Sequence, residues 1–326
     1  MRILVRAPNW IGDHVMALPF YAALRRQYPE AHLSLLHTAQ TAGLNLGEFD
    51  ETQELPRDWR RPRSLLAFAR ALRKREYAVA FSLPASWSSN ALLWLSRIPC
   101  RIGFDEGGSG VLLTHALRWR GPRAGRHKSS LYAELLDLGV DAAAFQSTSA
   151  HLTSANEKKI VLAPGAALGL REWPYVEDLA LKLAEKFPDH ELVLVGGPGE
   201  QKWQTRLGRL GLANFTDRVG QTTLDALCSL LCTASVVIAN DSGVAHLAAT
   251  VADRPTVVLY GPGNPEYIRP LGGNSTSLFV SDLGCRPCDS NRCLGGYGYQ
   301  ACLRELSPDR VFRAVEAILT GAPAAR

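Results

Sequence analysis

The sequence lacks a hydrophobic run that would serve as a membrane span or an export signal. Its longest stretch without a charged residue, Tyr77–Ser96, is long enough to cross a bilayer, but it contains Pro84, Asn90 and five serines. At the amino terminus, Asn9 and Asp13 interrupt the chain before an apolar signal-peptide core can develop. We therefore interpret Tyr77–Ser96 as a buried strand followed by a helix, and we expect a cytoplasmic protein.

Cysteine is scarce and its number is odd, which argues against a disulfide framework. The 326 residues contain seven cysteines, in keeping with a reducing cytoplasm. The chain also has no evident repeat, heptad pattern or low-complexity segment, so solenoids and coiled coils are excluded. With 46% hydrophobic and 21% charged residues, the chain has the ordinary composition of a globular protein. Its length is sufficient for two domains.

Negative charge is sparse in the first half of the chain. Residues 1–150 carry 19 Lys and Arg against 13 Asp and Glu, whereas residues 151–326 carry 17 against 18. All of the net charge of +5 therefore comes from the first half. Such an imbalance indicates an anionic partner for this half, and charge alone leaves open a nucleic acid, a phosphorylated ligand or a membrane surface.

Short apolar runs alternate with helical patterns along the whole chain, which predicts βαβ units and parallel sheets. The predicted strands are Ile3–Arg6, His32–His37, Ala78–Leu83, Arg101–Phe104, Ile160–Ala163, Glu191–Val195, Val236–Ala239 and Thr256–Leu259. The helical patterns between them are Val15–Gln27, Ser64–Arg75, Ser88–Ser96, Ser129–Leu138, Tyr175–Phe187, Gln201–Leu210, Leu224–Cys232 and Val244–Val251.

A small, polar segment at residues 141–158 marks the best domain boundary, because it has no sustained apolar period. We therefore expect two α/β domains, residues 1–150 and residues 151–326. A last helical pattern, Asp309–Leu319, follows Ser307 as capping residue and Pro308 at the first helical position. This helix either closes the second domain or crosses back to the first.

The first predicted strand runs into the sequence PNWIGD, which ends at Asp13. Because the carboxyl ends of parallel strands line the ligand crevice of such a sheet, Asp13 is well placed for chemistry. The alternative is that Asp13 caps the following helix, a position that Asp fills well. The glycine fingerprint GxGxxG is absent from this junction, which argues against a nicotinamide or flavin enzyme.

The sharpest motif of the second half is NDSGVAH at residues 240–246, between an apolar strand and a helix. Backbone N–H groups of Ser242 and Gly243 would point from the helix N-terminus to a phosphate, and Gly243 permits a close approach. His246 follows about one turn later on the same face. Alone, His246 is more simply a hydrogen-bonded core histidine, so only the whole motif indicates a ligand site.

Two glycine-rich turns follow other strands of the second half, APGAA from residue 163 and VGGPGE from residue 195. Such turns suit a diphosphate, a nearby arginine would neutralise it, and a glutamate would accept hydrogen bonds from ribose hydroxyls. Each turn alone would be an ordinary connection in a doubly wound sheet. Three such loops in one half predict a nucleotide site, whose further contacts we expect to be Gly165, Ala166, Arg171 and Glu200.

Four of the cysteines lie in one glycine-rich loop near the carboxyl end, spaced C-x2-C-x4-C-x8-C. Four thiolates would hold Zn²⁺ tetrahedrally and brace that loop. The spacing differs from the paired CxxC…CxxC of a zinc ribbon, so the loop is only a candidate for a structural metal, and we expect no catalytic one. The cysteines are Cys285, Cys288, Cys293 and Cys302.

Arginines cluster at two places in the first half, around Trp59 and between residues 118 and 128. Most such clusters are solvated faces. Arginine also matches the geometry of phosphate and carboxylate groups, so an anionic ligand for this half is a reasonable hypothesis. The candidates are Arg60, Arg61, Arg118, Arg120 and Arg123.

Together these motifs resemble the ADP-heptose:lipopolysaccharide heptosyltransferases, family 9 of the glycosyltransferases. NDSG-x-x-H is the motif most specific to this family. The PNWIGD motif is more similar to that of the enzymes that add the second heptose than to that of the enzymes that add the first. The resemblance covers most of the chain, through PNWIGD at 8–13, LPASWSSNALLWLSRIPCRIGF at 83–104, APGA at 163–166, REWP at 171–174, VGGPGE at 195–200, NDSGVAH at 240–246 and LYGP at 259–262.

The resemblance implies the GT-B architecture, two Rossmann-like domains facing a central cleft, with the acceptor on the first and the nucleotide sugar on the second. Matched residue by residue, Asp13 takes the place of the catalytic aspartate and Glu200 that of a nucleotide-side glutamate. Arg171 stands where relatives often carry a lysine for the diphosphate, so the charge is kept but its position can differ. The four-cysteine loop resembles a loop found in only some relatives, and the resemblance assigns it no role. The donor-site motif is matched by Asp241, Ser242, Gly243 and His246.

The implied reaction is an inverting, single-displacement transfer of heptose from ADP-heptose to the inner core of lipopolysaccharide. Asp13 takes the proton of the acceptor hydroxyl, and Arg171 with the Ser242 and Gly243 amides stabilises the departing ADP. No cofactor is required. The expected partners are ADP-heptose, an anionic lipid-linked acceptor and the inner-membrane surface, with no nucleic acid. The expected acceptor contacts are Asn9, Trp10, Gly12 and the arginines named above.

Other functions stay open from the sequence. A nucleotide-sugar epimerase or isomerase shares the architecture and the phosphate loops but would act without an acceptor, and a family member could use another sugar. A nucleic-acid binder would use the basic first half. Its arginines, however, lack interleaved aromatics beyond Trp59, and the donor-type loops would be unexplained.

Overall fold

The computed structural model describes residues 1–44, 47, 49–119, 125–137, 157–288, 290–293 and 295–322. The chain divides into two units, Met1–Ala142 and Ala143–Arg326. The segment expected as the domain boundary, residues 141–158, lies mainly outside the described residues.

The first unit is built on a six-stranded parallel sheet in the order β3-β2-β1-β4-β5-β6. Its central strand is buried from Ile3 onward, because helices on both faces of a parallel sheet call for apolar side chains on both sides. The strands are β1 (Arg2–Arg6), β2 (His32–His37), β3 (Glu51–Glu54), β4 (Val79–Ser82), β5 (Cys100–Asp105) and β6 (His115–Arg118). The helices are α1 (Ile11–Met16), α2 (Leu18–Gln27), α3 (Pro62–Arg73), α4 (Trp87–Leu95) and α5 (Lys128–Glu134).

The helical pattern predicted over Val15–Gln27 is two helices in the structure, α1 and α2, separated at Ala17. Pro19 explains the break, because it has no N–H to donate to the carbonyl four residues earlier. The break ends α1 one turn after Asp13, so Asp13 lies on a short helix of six residues.

The uncharged stretch Tyr77–Ser96 contains β4 and α4, in agreement with its interpretation as a strand and a helix. The Ser86 side chain caps α4 by accepting a hydrogen bond from the Ser89 N–H. Nowhere in the described part of the chain is there a helix with the length and apolar character needed to cross a membrane.

The second unit has a second six-stranded parallel sheet, in the order β12-β11-β10-β7-β8-β9. Its strands are β7 (Lys159–Ala163), β8 (Glu191–Leu194), β9 (Phe215–Asp217), β10 (Val236–Asn240), β11 (Thr256–Leu259) and β12 (Ser275–Leu278). Its helices are α6 (Val176–Lys186), α7 (Gln201–Gly208), α8 (Leu224–Cys232), α9 (Gly243–His246), α10 (Pro265–Ile268), α11 (Ala301–Arg304) and α12 (Pro308–Thr320).

The last helix, α12, belongs to the core of the second unit. Val311 and Val315 are fully buried there in the same apolar cluster as Trp173. Just before the helix, the Trp173 indole N–H donates to the Leu306 carbonyl at 2.8 Å. This indole links the helix to the REWP segment, which follows one of the predicted nucleotide loops.

Candidate functional site

Asp13 lies in the first turn of α1, close to the carboxyl end of β1. The N-cap of this helix is Trp10, with extended backbone and no side-chain cap, so the alternative that Asp13 caps the helix is wrong. Asp13 Oδ1 accepts a hydrogen bond from Lys128 Nζ at 2.8 Å. The Asp13 side chain is 24% exposed, which leaves its carboxylate accessible for proton transfer.

Lys128 is the partner of Asp13 that sequence reasoning missed. It is the first residue of α5, and its ammonium group also lies 5.7 Å from the centre of the Trp119 ring. The Lys128 side chain is only 15% exposed, so packing holds it beside the carboxylate. The sequence contained one weak signal, the place of Lys128 at the end of the second basic cluster.

Two arginines share one aromatic ring beside the PNWIGD loop. The guanidinium groups of Arg6 and Arg60 lie 5.4 and 4.9 Å from the centre of the Trp59 ring. Arg6 is fully buried and donates hydrogen bonds to the Ala7 carbonyl and to Asn9 Oδ1. Burial, and then the charge of Arg60, lower the pKa of Arg6 to about 9. Within the described residues no carboxylate pairs with Arg6, so this region is electropositive.

The other predicted acceptor residues lie on several elements of the first unit. Trp10 is exposed, Gly12 is buried inside α1, and Arg61 is the exposed N-cap of α3. Arg118 is exposed at the end of the edge strand β6. Arg120 and Arg123 lie outside the described residues. In the structure, Asn9 and Arg60 both lie close to Arg6. A role of any of these residues in acceptor binding stays a prediction.

In the second unit, Arg171 and Asp241 form an ion pair between two of the predicted loops. Arg171 Nη1 donates to Asp241 Oδ2 at 2.8 Å, across 70 positions of sequence. The Asp241 side chain is 6% exposed and that of Arg171 is 26% exposed. The Arg171 Nε–H is buried and has no hydrogen-bond partner within the described residues. Since guanidinium has five N–H donors, Arg171 can hold Asp241 and still bind an anion.

Ser242 and His246 occupy the two ends of the short helix α9. Ser242 is the N-cap, but its hydroxyl caps nothing and has no partner in the described part of the chain. His246 is buried at the last position of α9, where the helix widens into a π-helical turn, Leu247–Val251. Gly243 opens the helix between them. The unpartnered hydroxyl of Ser242 lies next to Asp241, in the same loop as the Arg171 pair.

Glu200 lies against the first glycine loop. A side chain at Gly165 would overlap the Glu200 carboxylate, and Glu200 Oε2 accepts a hydrogen bond from the Gly197 N–H at 2.9 Å. Burial raises the pKa of the Glu200 carboxyl, and the bond from Gly197 opposes that rise. The absence of a side chain at Gly165 therefore leaves room for the Glu200 carboxylate, and the expected contact of Gly165 with the donor stays a prediction.

The four cysteines of the carboxyl-terminal loop line one small pocket, and all are free thiols. Burial raises the pKa of the Cys302 thiol, and the nearby Cys288 thiol raises it further. As the side chains stand, no three His, Cys, Asp or Glu residues in the described ranges are arranged to hold a metal ion. The structural zinc expected from the spacing remains a prediction.

Comparison with known proteins identifies the family of this chain. Residues 65–297 match the model of a family described as glycosyltransferase family 9 (heptosyltransferase). The chain belongs to glycosyltransferase family 9. The resemblance inferred from the sequence is thereby confirmed, and the protein is a glycosyltransferase.

Full-length relatives carry the name heptosyltransferase 2. Lipooligosaccharide heptosyltransferase 2 of Haemophilus ducreyi is 27% identical, and the alignment covers 98% of this chain and 99% of the relative. Lipopolysaccharide heptosyltransferase 2 of Escherichia coli is 26% identical with the same coverage. These family 9 relatives favour the transferase over the epimerase.

The fold of this family 9 member is the two-domain GT-B fold expected from the sequence. The solved structure of E. coli ADP-heptose lipopolysaccharide heptosyltransferase II superposes with a TM-score of 0.80 at 24% identity. The superposition covers 98% of this chain and 99% of that structure. At this identity the likeness establishes the fold, and the roles of individual residues need their own argument.

Proposed function

We propose that this family 9 enzyme transfers a heptose from ADP-heptose to the inner core of lipopolysaccharide, adding the second heptose with inversion at the anomeric carbon. The observation that carries the proposal is the full-length similarity to enzymes named heptosyltransferase 2. The donor-site ion pair and the half-buried Asp13 carboxylate are compatible with this chemistry.

The donor is held by the second unit. Arg171, fixed by Asp241, binds the diphosphate through its remaining N–H donors, since its side chain is 26% exposed. The Ser242 hydroxyl donates to the same phosphates and so gains a partner that the described residues do not supply. Glu200 accepts hydrogen bonds from the ribose hydroxyls, and the absence of a side chain at Gly165 leaves room for its carboxylate.

The transfer itself is a single displacement. The acceptor hydroxyl oxygen attacks the anomeric carbon and gives its proton to the Asp13 carboxylate. The bond from that carbon to the diphosphate oxygen breaks, and ADP leaves with the electron pair from the opposite face. Arg171 stabilises the charge that develops on the leaving phosphate, so that no covalent enzyme intermediate is needed.

The acceptor is anionic and lipid-linked, and it meets the first unit. The excess of positive charge lies in this half of the chain, and Arg60, exposed on the Trp59 ring, adds a cation for a carboxylate or phosphate. Basic residues near a membrane surface are also attracted to its anionic lipids. We therefore place the enzyme peripherally at the inner membrane, where its acceptor is anchored.

Incubation of the protein with ADP-heptose, with and without an acceptor, tests the reaction class. We expect ADP to be released only when the acceptor is present, and the donor heptose to stay chemically unchanged in its absence. A changed sugar in the donor-only incubation would favour the epimerase reading of the same architecture.

Lys128 is a positioning residue for Asp13. We expect Lys128→Met to lower kcat by about tenfold, which is the worth of one hydrogen bond between charged groups. ADP binding should not change, and Lys128→Arg should recover part of the rate because it keeps a charged donor beside Asp13. The measurement is steady-state kinetics together with ADP calorimetry. An increase in acceptor KM with kcat unchanged would instead place Lys128 on the acceptor.

Gly165→Ala tests the place given to Glu200. The added methyl group would displace the Glu200 carboxylate from the ribose hydroxyls, so we expect the KM for ADP-heptose to rise about tenfold, which corresponds to one hydrogen bond to a charged group. The matched control is Gly208→Ala, because a side chain at Gly208, the last residue of α7, would meet no atom within 4 Å. Equal kinetic constants for the two variants would remove Glu200 from the donor site.

A further inference from the structure

One segment of the first unit is far more basic than the rest of the chain. Residues 59–104 contain nine Lys and Arg residues and a single acidic residue, Glu76. The segment therefore carries more positive charge than the net +5 of the whole protein. It includes α3, β4 and α4, and the proposed function uses only Arg60 among its basic residues. Such a surplus indicates an anionic partner for a surface of these elements.

The helices α3 and α4 lie side by side on one face of the sheet. Ala69 and Leu72 of α3 are buried in the same apolar cluster as Leu92 and Leu93 of α4. The opposite side of each helix therefore faces solvent. On α3 and its C-cap residue, that side presents basic and apolar residues in alternation: Arg63, Leu66, Ala67, Arg70, Ala71 and Lys74.

The outer side of α4 carries two large aromatic side chains. Trp87 and Trp94 are seven positions apart, about two helical turns, so they project from the same side of the helix. Their exposed fractions are 52% and 50%. Val111, in the 3-10 turn Ser109–Leu112 that packs on α4, is also exposed. Large apolar side chains exposed together mark a contact surface.

Arginine, lysine and exposed tryptophan together are typical of a surface that lies on an anionic bilayer. Tryptophan prefers the headgroup region, where its amphipathic ring contacts both water and acyl chains. The long stems of arginine and lysine cover apolar surface while their charges reach the lipid phosphates. A single-stranded nucleic acid would use the charges and the rings, but it would leave the exposed aliphatic side chains Leu66 and Val111 without a partner.

The amino-terminal end of α3 lies near the loop that leads to Asp13. Arg61 is the N-cap of α3, and the ring of Trp59, two residues earlier, lies against Arg6. Arg6 in turn donates to Asn9 of the PNWIGD loop. A bilayer that lay along α3 would therefore come close to the region where a lipid-linked acceptor is expected.

We propose that the outer sides of α3 and α4 form a docking face for an anionic phospholipid bilayer. Arg63, Arg70 and Lys74 bind the lipid phosphates, and Trp94 enters the headgroup region beside Trp87. The docking face supplies the surface for the peripheral location proposed above, and only its orientation toward the acceptor rests on the proposed function. Because exposed charges are screened by salt, this binding is reversible and weakens as the ionic strength rises.

Sedimentation of the full-length protein with vesicles tests the docking face. We expect binding to vesicles of phosphatidylethanolamine and phosphatidylglycerol, and much weaker binding to phosphatidylcholine alone. Glutamine at all three basic positions (Arg63→Gln, Arg70→Gln, Lys74→Gln) should lower the partition coefficient on anionic vesicles by about 10²-fold. The reason is that each basic residue near an anionic surface contributes about fivefold.

The matched control for this triple variant removes the same charge from the second unit. It replaces three exposed arginines beside α7 and in α12, Arg209→Gln, Arg310→Gln and Arg313→Gln, and it should bind vesicles like the wild type.

Trp94→Gln tests the aromatic part of the docking face separately from its charge. It should weaken vesicle binding several-fold at low and at high salt, whereas the triple variant should lose binding mainly at low salt. Tyr297→Gln, which removes an exposed aromatic residue of the second unit, is the control and should bind like the wild type. Equal binding by Trp94→Gln and this control would overturn the part given to α4.

The vesicles contain neither donor nor acceptor, so a failure of heptose transfer would leave these results unaffected. A wild-type protein that does not bind anionic vesicles, or a triple variant that binds them as tightly as its control, would overturn the docking face. Tighter binding to a random oligonucleotide than to the vesicles, lost in the same triple variant, would assign the surface to nucleic acid and would also overturn it.

Discussion

Asp13→Ala is expected to lower kcat by about 10²–10⁴-fold, the usual contribution of a general base. Asp13 is a partly buried carboxylate of the first unit, and it is held by a direct contact with a lysine, at 2.8 Å from Lys128 Nζ. Without it the acceptor hydroxyl must attack while it still holds its proton. ADP binding should change little, because the donor contacts come from the second unit. Steady-state kinetics and ADP calorimetry measure the two effects.

The Asp13 prediction needs a control for the loss of one acid from the first unit. The control is Glu106→Ala, because Glu106 is an exposed acidic residue in the loop after β5. It should keep wild-type turnover and ADP binding. Turnover of Asp13→Ala within a few-fold of the control would reduce Asp13 to a structural partner of Lys128 and would leave the reaction without a base.

Arg171→Ala is the second substitution with a large expected effect. Loss of a preorganised cation at the developing charge typically costs about 10²–10³-fold in kcat, and we expect a loss of this order together with weaker ADP binding. Arg171→Lys should recover part of the rate, since a lysine keeps the charge but cannot hold Asp241 and phosphate with one planar fork. Kinetics with ADP-heptose and calorimetry with ADP give both values.

A loss of folding must be separated from a loss of chemistry at this position, because Arg171 faces the buried Asp241 carboxylate. Thermal unfolding of Arg171→Ala and Arg171→Lys provides that separation. Arg209→Ala, at an exposed arginine just after α7, is the matched control. If ADP binding were equal in Arg171→Ala and the control, Arg171 would not contact the diphosphate.

The sequence predicted the centre of each sheet but not its edges. All eight predicted strands are present, whereas β3, β6, β9 and β12 were not predicted. These four are the outermost strands of the two sheets. An edge strand has one free side and need not be apolar on both faces, so sequences such as ETQE and STSL carry no hydrophobic signal.

The candidate site was predictable where it depends on local sequence. Glycine turns and a helix start after buried strands located the loops of Arg171, Glu200 and Ser242 correctly at strand ends. The contacts between loops were not predictable. Lys128 and Asp13 are 115 positions apart, and only the fold brings them together. The same holds for the Arg171–Asp241 ion pair, whose members were both predicted but never as partners.

Mass spectrometry of lipopolysaccharide core acceptors that lack successive heptoses tests the proposed function most directly. The protein is incubated with ADP-heptose and each acceptor in turn, and a screen of other ADP- and UDP-sugars runs in parallel. We expect the mass of one heptose to be added to the acceptor that already carries one, and none to the heptose-free acceptor. Transfer to the heptose-free acceptor alone, or transfer only from a donor other than ADP-heptose, would contradict the proposal.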